Sequence, residues 1–358
     1  MRNIQRIVTC CGVEFRVIHA VCCKSEGVHV SNIVNRYIAN IRVLNIGKPT
    51  ISKGIVKNKA SEVCNQCCIK VYIFRGLSPY IDNQVFNICS VIDRLHYAIK
   101  ANPNPEILSL FAGRGVNFEC VSPGELDHCL NHVEGVAADK LLCTLNFAGP
   151  HEYAKGYEVG ATVTLDNLHP LEKHPEVFAG REVFLRLDPG LGKGHHKHVR
   201  TAGASSKFGL SAGDIDRAIA LTREHGVKVT GLHVHIGSGV KSVETWSENA
   251  LFLAKMAERF EDVRVLDLGG GLGVPERSGQ DALDLVAVNE SLLKFKEAHP
   301  RFELWIEPGR FFVARAGVLL ARVTQLKSKG VHHYVGVETG MNSLIRPALY
   351  GAFHEIIN

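Results

Sequence analysis

Short apolar segments alternate with amphipathic segments from about residue 95 onwards. The apolar segments have the length and composition of buried strands, and the amphipathic segments place apolar residues at helical spacing. This alternation indicates repeated strand–helix units and a parallel sheet. Eight strands are predicted, at Leu95–Lys100, Asn117–Val121, Lys140–Leu145, Thr162–Asp166, Glu182–Leu187, Lys228–Ile236, Val263–Leu268 and Phe302–Ile306. Eight units over about 220 residues favour an α/β fold of the (β/α)8 TIM-like barrel type over an open sheet.

Helix signals fall between these strands. One face is predicted from Ala250, Leu253, Ala254 and Ala257, and another from Ile215, Ala218, Ile219 and Thr222. Ser122-Pro123-Gly124-Glu125 combines an N-cap residue, a first-turn proline and a capping-box glutamate. Pro103-Asn104-Pro105 ends the first barrel strand and begins a helix.

The pattern changes at both ends of the chain. Residues 1–68 keep no helical face, and Lys70–Phe74 is the first clear strand. After Arg315, the segments Gly317–Leu326 and Val331–Val337 are predicted as strands joined by a Lys-Ser-Lys-Gly turn, with no helix between them. The chain is therefore divided into an atypical basic, cysteine-rich segment (1–68), an N-terminal strand and lead-in (69–94), the barrel (95–315) and the beginning of an incomplete β domain (316–358).

Composition adds limits to this picture. Apolar residues make up 46% of the chain and charged residues 22%, as in an ordinary globular protein. The sequence contains no long apolar run and no secretion-signal pattern, so we expect neither a membrane span nor export. Residues 1–90 carry 12 basic and 4 acidic side chains, but these are scattered singly, which argues against a nucleic-acid partner.

Cysteine usage points to the cytoplasm. Eight of the eleven cysteines precede residue 90. Cys64-x-x-Cys67 has the spacing of a metal or redox pair, but no second pair follows at a suitable distance. Free thiols in a reducing compartment are the default interpretation.

Lysine and acidic side chains stand at the ends of the first predicted strands, where barrel enzymes place their chemistry. Lys100 ends the first strand, and either it extends its amine to water or it has a chemical role or partner. Glu119 lies on the second strand, and Glu125 opens the following helix. Arg186 interrupts an apolar strand, for which Glu119 or Glu125 is the expected ion-pair partner.

The last three strands end in residues that suit a ring and a phosphate. His233 and His235 alternate, so both are expected on one side of the sheet, as core histidines, as zinc ligands or flat against a planar ring. Gly269–Gly271 could be a flexible turn, or could direct backbone N–H groups at an anion. Glu307 and Arg310 form a plain ion pair, or Glu307 holds a protonated ring nitrogen while Arg310 holds an anion. A phosphate, a basic ring and an aldehyde for Lys100 together indicate pyridoxal 5′-phosphate.

Seven motifs carry a family resemblance over residues 91–358. Tyr97-Ala98-Ile99-Lys100-Ala101-Asn102, His235-Ile236-Gly237-Ser238, Gly269-Gly270-Gly271 and Glu307-Pro308-Gly309-Arg310 resemble the barrel-type pyridoxal-phosphate-dependent decarboxylases of basic amino acids. Within that family, the diaminopimelate decarboxylases are the most similar group, through Ser206-Lys207-Phe208-Gly209, Glu338-Thr339-Gly340-Met341-Asn342 and Arg346-Pro347-Ala348-Leu349-Tyr350.

The resemblance implies roles for individual residues. Lys100 would be the Schiff-base lysine, Glu307 the partner of the ring nitrogen and His235 the stacking imidazole, and these three form the expected catalytic set. Ser238 and Gly271 would contact the phosphate. The expected cofactor-binding set is Lys100, Glu119, Arg186, His235, Ser238, Gly269, Gly270, Gly271, Glu307 and Arg310. The expected substrate-binding set is Arg310, Arg346 and Tyr350, and no metal is expected.

The resemblance also implies a substrate. Guanidinium groups bind carboxylates through two parallel hydrogen bonds, which suits a substrate with a carboxylate at each end. This favours decarboxylation of meso-diaminopimelate to L-lysine and CO2, as in lysine biosynthesis. The alternatives are an ornithine, arginine or carboxynorspermidine decarboxylase, or a pyridoxal-phosphate-binding remnant without catalysis. A zinc hydrolase built on His233 and His235 is disfavoured because no third ligand is evident.

Members of the family form homodimers that share their sites. They use a Cys-Glu or Cys-Asp pair from the partner's second domain and a late tyrosine on the phosphate. This chain ends before either feature. We therefore expect a C-terminally truncated member that has little or no turnover by itself and an incomplete dimer interface.

Overall fold

The computed structural model describes residues 91–190 and 206–356, together with the backbone of three earlier strands. These are β1 (Ile7–Cys10), β2 (Val13–Arg16) and β3 (Val71–Ile73), of which β1 and β2 pair antiparallel. Strand β3 confirms the strand predicted within Lys70–Phe74. The side chains of the eight N-terminal cysteines lie outside the described residues. The chain divides into two compact units, Met1–Val63 and Cys64–Asn358, and the finer four-part division stays a prediction.

Eight parallel strands close into a barrel, which confirms the predicted fold class. The strands are β4 (Arg94–Ala98), β5 (Asn117–Cys120), β6 (Leu141–Thr144), β7 (Thr162–Leu165), β8 (Glu182–Arg186), β9 (Lys228–His233), β10 (Val265–Asp267) and β11 (Glu303–Ile306). Each pairs with the next, and β11 pairs with β4 to close the ring. All eight predicted strands are present, and most are slightly shorter than their apolar segments.

Helices cover the outside of the barrel. The helices between barrel strands are α1 (Pro105–Ala112), α2 (Pro123–His132), α3 (Pro150–Glu158), α4 (His169–Lys173), α5 (Pro175–Phe178), α6 (Ile215–Glu224), α7 (Glu244–Ala257) and α8 (Leu285–Ala298). Both predicted helical faces are confirmed: the α7 face is fully buried, and the α6 face is buried except for the half-buried Ile219.

Two predicted helix starts are confirmed in detail. The Asn104 side chain accepts the Glu106 N–H at 2.9 Å, with Pro105 in the first turn. Ser122 Oγ accepts the Glu125 N–H at 3.3 Å. The Glu125 carboxylate accepts the N–H of Val121, one residue before the N-cap, at 2.7 Å. Glu125 therefore serves to cap the start of this helix.

The barrel interior is packed with side chains. Leu142, Phe184, Val265 and Trp305 form an apolar cluster inside the ring, separate from the larger core between strands and helices. Gly231 is required there because a Cβ atom at this position would lie 2.4 Å from the Phe184 ring. The barrel is therefore a solid support for a site at its carboxyl end.

A buried histidine in this interior makes stability depend on pH. His96 is 1% exposed, its ring centroid lies 4.8 Å from that of Trp305, and burial, aided by Arg94, lowers its pKa from 6.5 to about 3. Between about pH 6.5 and pH 3 the His96 imidazole is protonated in the unfolded chain but stays neutral in the folded chain. Stability should therefore fall as the pH drops from 6.5 towards 3, by about 1.4 kcal/mol per pH unit for this group.

Replacing His96 by phenylalanine should remove this contribution. We expect the free energy of unfolding of His96→Phe to fall less than that of the wild type between pH 7.5 and pH 5.5, measured by urea denaturation. His332→Phe is the matched control, because His332 is exposed on the surface. Equal losses in the wild type and in His96→Phe would contradict the assignment.

The segment after the barrel departs from its prediction. Helix α9 (Arg310–Val313) follows β11, and three strands come next: β12 (Gly317–Leu319), β13 (Val323–Lys329) and β14 (His332–Val337). The predicted strand Gly317–Leu326 is thus two strands, one pairing with β3 and the other with β14. The predicted turn is wrong in position, because Lys327–Lys329 belong to β13 and the chain reverses at Gly330, whose φ is +60°. Helix α10 (Arg346–Tyr350) follows.

Three cysteines lie within the described residues, and all three are buried. Cys120, Cys129 and Cys143 are buried free thiols, as the default interpretation predicted. Burial raises the pKa of the Cys143 thiol to about 12, so it is an unreactive packing residue. No helix in the described part of the chain is both long and apolar enough to cross a bilayer.

Candidate active site

Lys100 stands at the mouth of the barrel. Strand β4 ends at Ala98, and Lys100 lies in a single 3-10 turn, Ile99–Ala101, rather than at the end of the strand as predicted. Its Nζ forms an ion pair with Glu119. Burial by itself lowers the pKa of Lys100, but the carboxylates of Glu119 and Glu307 outweigh it and raise the pKa above its usual value. Lys100 is therefore a protonated amine with a buried carboxylate as its partner.

Glu119 is held at both carboxylate oxygens. It lies on β5 opposite Ala98 of β4, and its side chain is 1% exposed. Oε2 accepts from Lys100, and Oε1 accepts from the hydroxyl of Thr144 on the next strand. A buried carboxylate is stable when its lone pairs have such donors. Glu119 is thus the fixed counter-charge of Lys100.

Arg186 pairs with a residue that the sequence did not single out. Its guanidinium lies 3.6 Å from Asp166, just past the end of β7, so the predicted partners Glu119 and Glu125 are wrong. Asp166 also accepts from the Gly209 N–H at 3.1 Å and from Asn146. The ring of Phe208 lies 4.4 Å from the guanidinium carbon of Arg186. Arg186 is therefore fixed on the wall of the barrel mouth by an acid and an aromatic ring.

The two alternating histidines take different positions. His235 Nδ1 accepts the Gly270 N–H at 3.1 Å, which leaves the ring hydrogen on Nε2. Burial and the charge of Arg186 lower the pKa of His235 to about 3, so the imidazole is neutral. His233 is 1% exposed and places Nε2 3.5 Å from Glu307.

Glu307 and Asp267 form a buried acidic pair beside His233. Burial by itself raises the pKa of Glu307, but His233, Lys100 and His235 hold it below its usual value. Burial and the neighbouring Glu307 raise the pKa of Asp267 well above its usual value. The two pKa values are thus shifted in opposite directions, as expected for two acids in one buried site.

Buried polar atoms in this group lack partners within the described chain. Glu307 Oε1, Asp267 Oδ2 and both His233 nitrogens have no hydrogen-bond partner there. Their ligand-type atoms lie within 4.8 Å of one another, and His235 is not part of this group. Such atoms are costly to bury unless a bound group satisfies them. An ionised, unpartnered carboxylate oxygen fits a ring nitrogen that carries a proton.

The glycine run is required by close packing between loops. A Cβ atom at Gly269, Gly270 or Gly271 would lie 2.3, 2.2 or 2.1 Å from the carbonyl oxygens of Val234, Glu307 and Gly237, respectively. The Gly269 N–H donates to Asp267 at 2.9 Å, and the Gly270 N–H donates to His235. Two of the three predicted anion-facing amides therefore have partners inside the protein. A phosphate role depends on Gly271, at φ +105°, and on the neighbouring Ser238.

Arg310 and Arg346 converge on one acidic residue. Glu276 Oε1 lies 2.8 Å from Arg346 and 3.9 Å from Arg310. Tyr350 follows Arg346 by one helical turn on α10 and affects the pKa of Arg310. Burial and the nearby Arg346 lower the pKa of Arg310 from its usual value. The three predicted substrate residues are thus brought together, with Glu276 among them.

The structure adds four residues to those expected from sequence. Three of them, Asp166, Asp267 and Glu276, were not singled out from sequence, and the fourth, His233, was a candidate without an assigned partner; each contacts a predicted site residue. Asp166 and Asp267 each lie at the end of a barrel strand, where a charged residue was a usable signal. Glu276 lies in a loop without periodic pattern, and nothing in the sequence marked it.

Comparisons with known proteins agree with this geometry. The sequence model of the family "Pyridoxal-dependent decarboxylase, pyridoxal binding domain" matches residues 83–314. The diaminopimelate decarboxylase of Escherichia coli K12 is 33% identical over 273 residues, 74% of this chain and 64% of that protein. The chain thus spans less than two thirds of the length of this curated relative.

Solved structures extend the likeness to the fold. A crystal structure of diaminopimelate decarboxylase is 31% identical with a TM-score of 0.71, over 78% of this chain and 68% of that one. The M. jannaschii diaminopimelate decarboxylase, solved in co-complex with L-lysine, is 26% identical with a TM-score of 0.68, over 78% of this chain and 70% of that one. With the barrel, the lysine at its mouth and the family match over residues 83–314, the chain belongs to the pyridoxal-dependent decarboxylases.

Proposed function

We propose that this chain is built to decarboxylate meso-diaminopimelate, giving L-lysine and CO2. The observation that carries the proposal is the convergence in one barrel mouth of Lys100 and Glu307, with Arg310 and Arg346 meeting at a single carboxylate. The first pair suits the cofactor of the family, and the second suits a substrate that carries a carboxylate far from the reacting carbon.

The cofactor of the family is pyridoxal 5′-phosphate. The residues present fit it, because Glu307 offers an ionised and unpartnered oxygen in a buried site. We assign Lys100 to the aldehyde, His235 to the ring face, Glu307 to the ring nitrogen, and Ser238, Gly271 and the rest of the glycine loop to the phosphate side. When bound, the cofactor draws electrons from the bond that breaks as CO2 leaves.

Lys100 and Glu119 would move a proton. An amine must be neutral to attack an aldehyde, yet Lys100 is held protonated by Glu119. Glu119 Oε2 already contacts Nζ and is the nearest base for that proton. Thr144 keeps donating to Oε1, so the acid stays in place while its protonation changes.

Glu307, His233 and Asp267 would keep the ring nitrogen charged. His233 and Lys100 favour the ionised form of Glu307, which is the form that accepts a ring N–H. The raised pKa of Asp267 disfavours a second negative charge in the same buried site. We assign Arg186 and Asp166 to the wall that holds the nearby His235, because Arg186 contributes to keeping this imidazole neutral.

The two guanidinium groups support the choice of substrate. Arg310 and Arg346 both approach one carboxylate oxygen, as they would in binding a ligand carboxylate. Ornithine and arginine carry no carboxylate at the corresponding end, so neither supplies the anion that two guanidinium groups bind. The M. jannaschii relative, solved with L-lysine, bound the product of the proposed reaction.

Other features of the whole protein remain predictions. We expect a family-type homodimer, a cytoplasmic location and no nucleic-acid partner. The chain matches 64% of the length of its curated E. coli relative. The roles of Lys100, His235 and the other site residues are likewise assignments to be tested.

A ligand panel tests the function. The chain loaded with pyridoxal phosphate is titrated with meso-diaminopimelate, ornithine and arginine, following the absorbance of the bound cofactor, and CO2 release is measured in the same samples. We expect diaminopimelate to change the cofactor absorbance at the lowest concentration and to release CO2. Preference for ornithine or arginine would support the rival decarboxylase. A cofactor spectrum that no amino acid changes would support a binding remnant.

A further inference from the structure

We propose that Glu276 is a specificity residue that binds the distal ammonium group of the substrate, while Arg310 and Arg346 bind the distal carboxylate. The proposal deepens the proposed function and rests on it. It concerns an acidic side chain of this chain's own barrel loop, placed where the far end of a bound diaminopimelate would lie.

The contacts of Glu276 carry the argument. Its Oε1 atom lies 2.8 Å from Arg346 and 3.9 Å from Arg310, so a single oxygen faces both guanidiniums. All three side chains are between 24% and 30% exposed, and are therefore half-buried but open to a ligand. Their combined charge is +1. A site for a carboxylate alone would bind it more strongly if the charges of both arginines were uncompensated. Here Glu276 compensates one of those two positive charges.

The backbone holds Glu276 in this place. It lies five residues after Gly271, in the loop that leaves the glycine run. The Gln280 side chain accepts the N–H of Glu276 at 2.9 Å and that of Arg277 at 3.4 Å. Gly279 completes the turn at φ +81°. Arg277 packs over the ring of Phe353 at 4.7 Å, which ties the turn to the segment after α10. Glu276 is thus presented from a defined turn.

The chemistry of the ligand explains why an acid belongs there. The distal end of diaminopimelate is an amino acid, with an ammonium and a carboxylate on one carbon. The two guanidinium groups suit its carboxylate, and the carboxylate of Glu276 suits its ammonium group. A ligand with a distal carboxylate alone would bring its negative charge next to Glu276 without an ammonium between them. A ligand with a distal ammonium alone would bind Glu276 but would supply no carboxylate to the two arginines.

A rival explanation makes a different prediction. Glu276 could be a stand-in for the substrate carboxylate that must leave when the substrate arrives. Removing it would then strengthen the binding of every ligand that carries a distal carboxylate, by the same factor. An ammonium-binding role instead changes the ranking of ligands, because only those with an ammonium lose a partner.

The experiment compares three ligands on the wild-type chain and on Glu276→Gln, both loaded with pyridoxal phosphate. Calorimetric titration measures affinity for meso-diaminopimelate, for 2-aminopimelate, which lacks the distal ammonium, and for 1,5-diaminopentane, which keeps a distal ammonium but lacks the distal carboxylate. In Glu276→Gln we expect affinity for 1,5-diaminopentane to fall about tenfold and affinity for 2-aminopimelate to rise, as for loss of one charge-assisted hydrogen bond. The preference for diaminopimelate over 2-aminopimelate should fall by a similar factor.

Controls separate the outcomes. Glu290→Gln, on the exposed face of α8, should leave all three affinities unchanged. An unchanged ratio of diaminopimelate to 2-aminopimelate affinity in Glu276→Gln would overturn the proposal, whether both affinities rise, as a stand-in predicts, or both fall, as a purely structural ion pair predicts. A wild-type chain that binds none of the three ligands would contradict the proposed function and the role of Glu276 with it.

Discussion

Replacing Lys100 by alanine is expected to abolish covalent attachment of pyridoxal phosphate completely. The amine is the nucleophile for the cofactor aldehyde, and its partner Glu119 cannot replace it. After borohydride treatment, the wild type should retain cofactor on the peptide that contains Lys100, and mass spectrometry should find none on the variant. The visible absorbance of the lysine-linked cofactor should disappear as well.

The variant has a matched control and a second measurement. Lys255→Ala removes an exposed lysine on α7 and should keep full attachment. Lys100→Ala should still bind pyridoxal phosphate reversibly, because Glu307, His235 and the glycine loop remain. Covalent attachment that persists in Lys100→Ala would refute the assignment of Lys100 as the cofactor lysine.

Replacing Glu307 by glutamine should weaken cofactor binding by about ten- to a hundredfold. The ionised carboxylate would form a charge-assisted hydrogen bond with the protonated ring nitrogen, a contact of about 1.5–3 kcal/mol that a neutral amide does not replace. Affinity is measured by absorbance titration with pyridoxal phosphate and with an analogue in which carbon replaces the ring nitrogen. The wild type should prefer the natural cofactor, and Glu307→Gln should lose that preference.

Asp267 supplies the control for this variant. The charge of Glu307 helps to raise the pKa of Asp267, so its removal lowers that pKa and allows Asp267 to ionise in its place. The double variant Glu307→Gln/Asp267→Asn should therefore bind cofactor more weakly than Glu307→Gln. A wild type that binds both compounds equally well would show that Glu307 does not hold the ring nitrogen.

The fold was predictable because of how a parallel sheet is buried. Barrel strands are covered by helices on one side and by packed side chains on the other, so each reads as a short apolar run without alternation. Helix starts such as Asn104 and Ser122 use local hydrogen bonds within a few residues and were predicted for the same reason. Boundaries were less certain, and Lys100 moved from a strand into a 3-10 turn.

The site was predictable only in part. Lys100, His235 and Glu307 could be proposed from sequence because each follows a barrel strand, and a barrel gathers the carboxyl ends of its strands at one mouth. Their partners could not be assigned from sequence. Arg186 was given the wrong acid because which of three carboxylates it meets depends on the tilt of the strands and on a loop that brings Gly209 to Asp166.

The role of the glycine run Gly269–Gly271 could not be decided from sequence either. From sequence it could be a flexible turn or a phosphate loop, since both use glycine. The structure shows that Gly269, Gly270 and Gly271 meet carbonyl oxygens of three neighbouring loop positions, where no side chain fits. Close approach of backbones from different parts of the chain is invisible in a one-dimensional pattern.

By itself, the sequence determined the barrel and the family, because these follow from local apolar periodicity and from motifs read along the chain; it also predicted the lysine and the acid that would face the cofactor. Only the tertiary structure decided which charges neutralise one another. In the folded chain the pKa values of Glu307 and Asp267 are shifted in opposite directions, Lys100 pairs with Glu119, and Glu276 contacts both Arg310 and Arg346. The physical reason is that electrostatic energies in a buried site depend on distances between atoms and on exclusion of water, which only the folded chain defines.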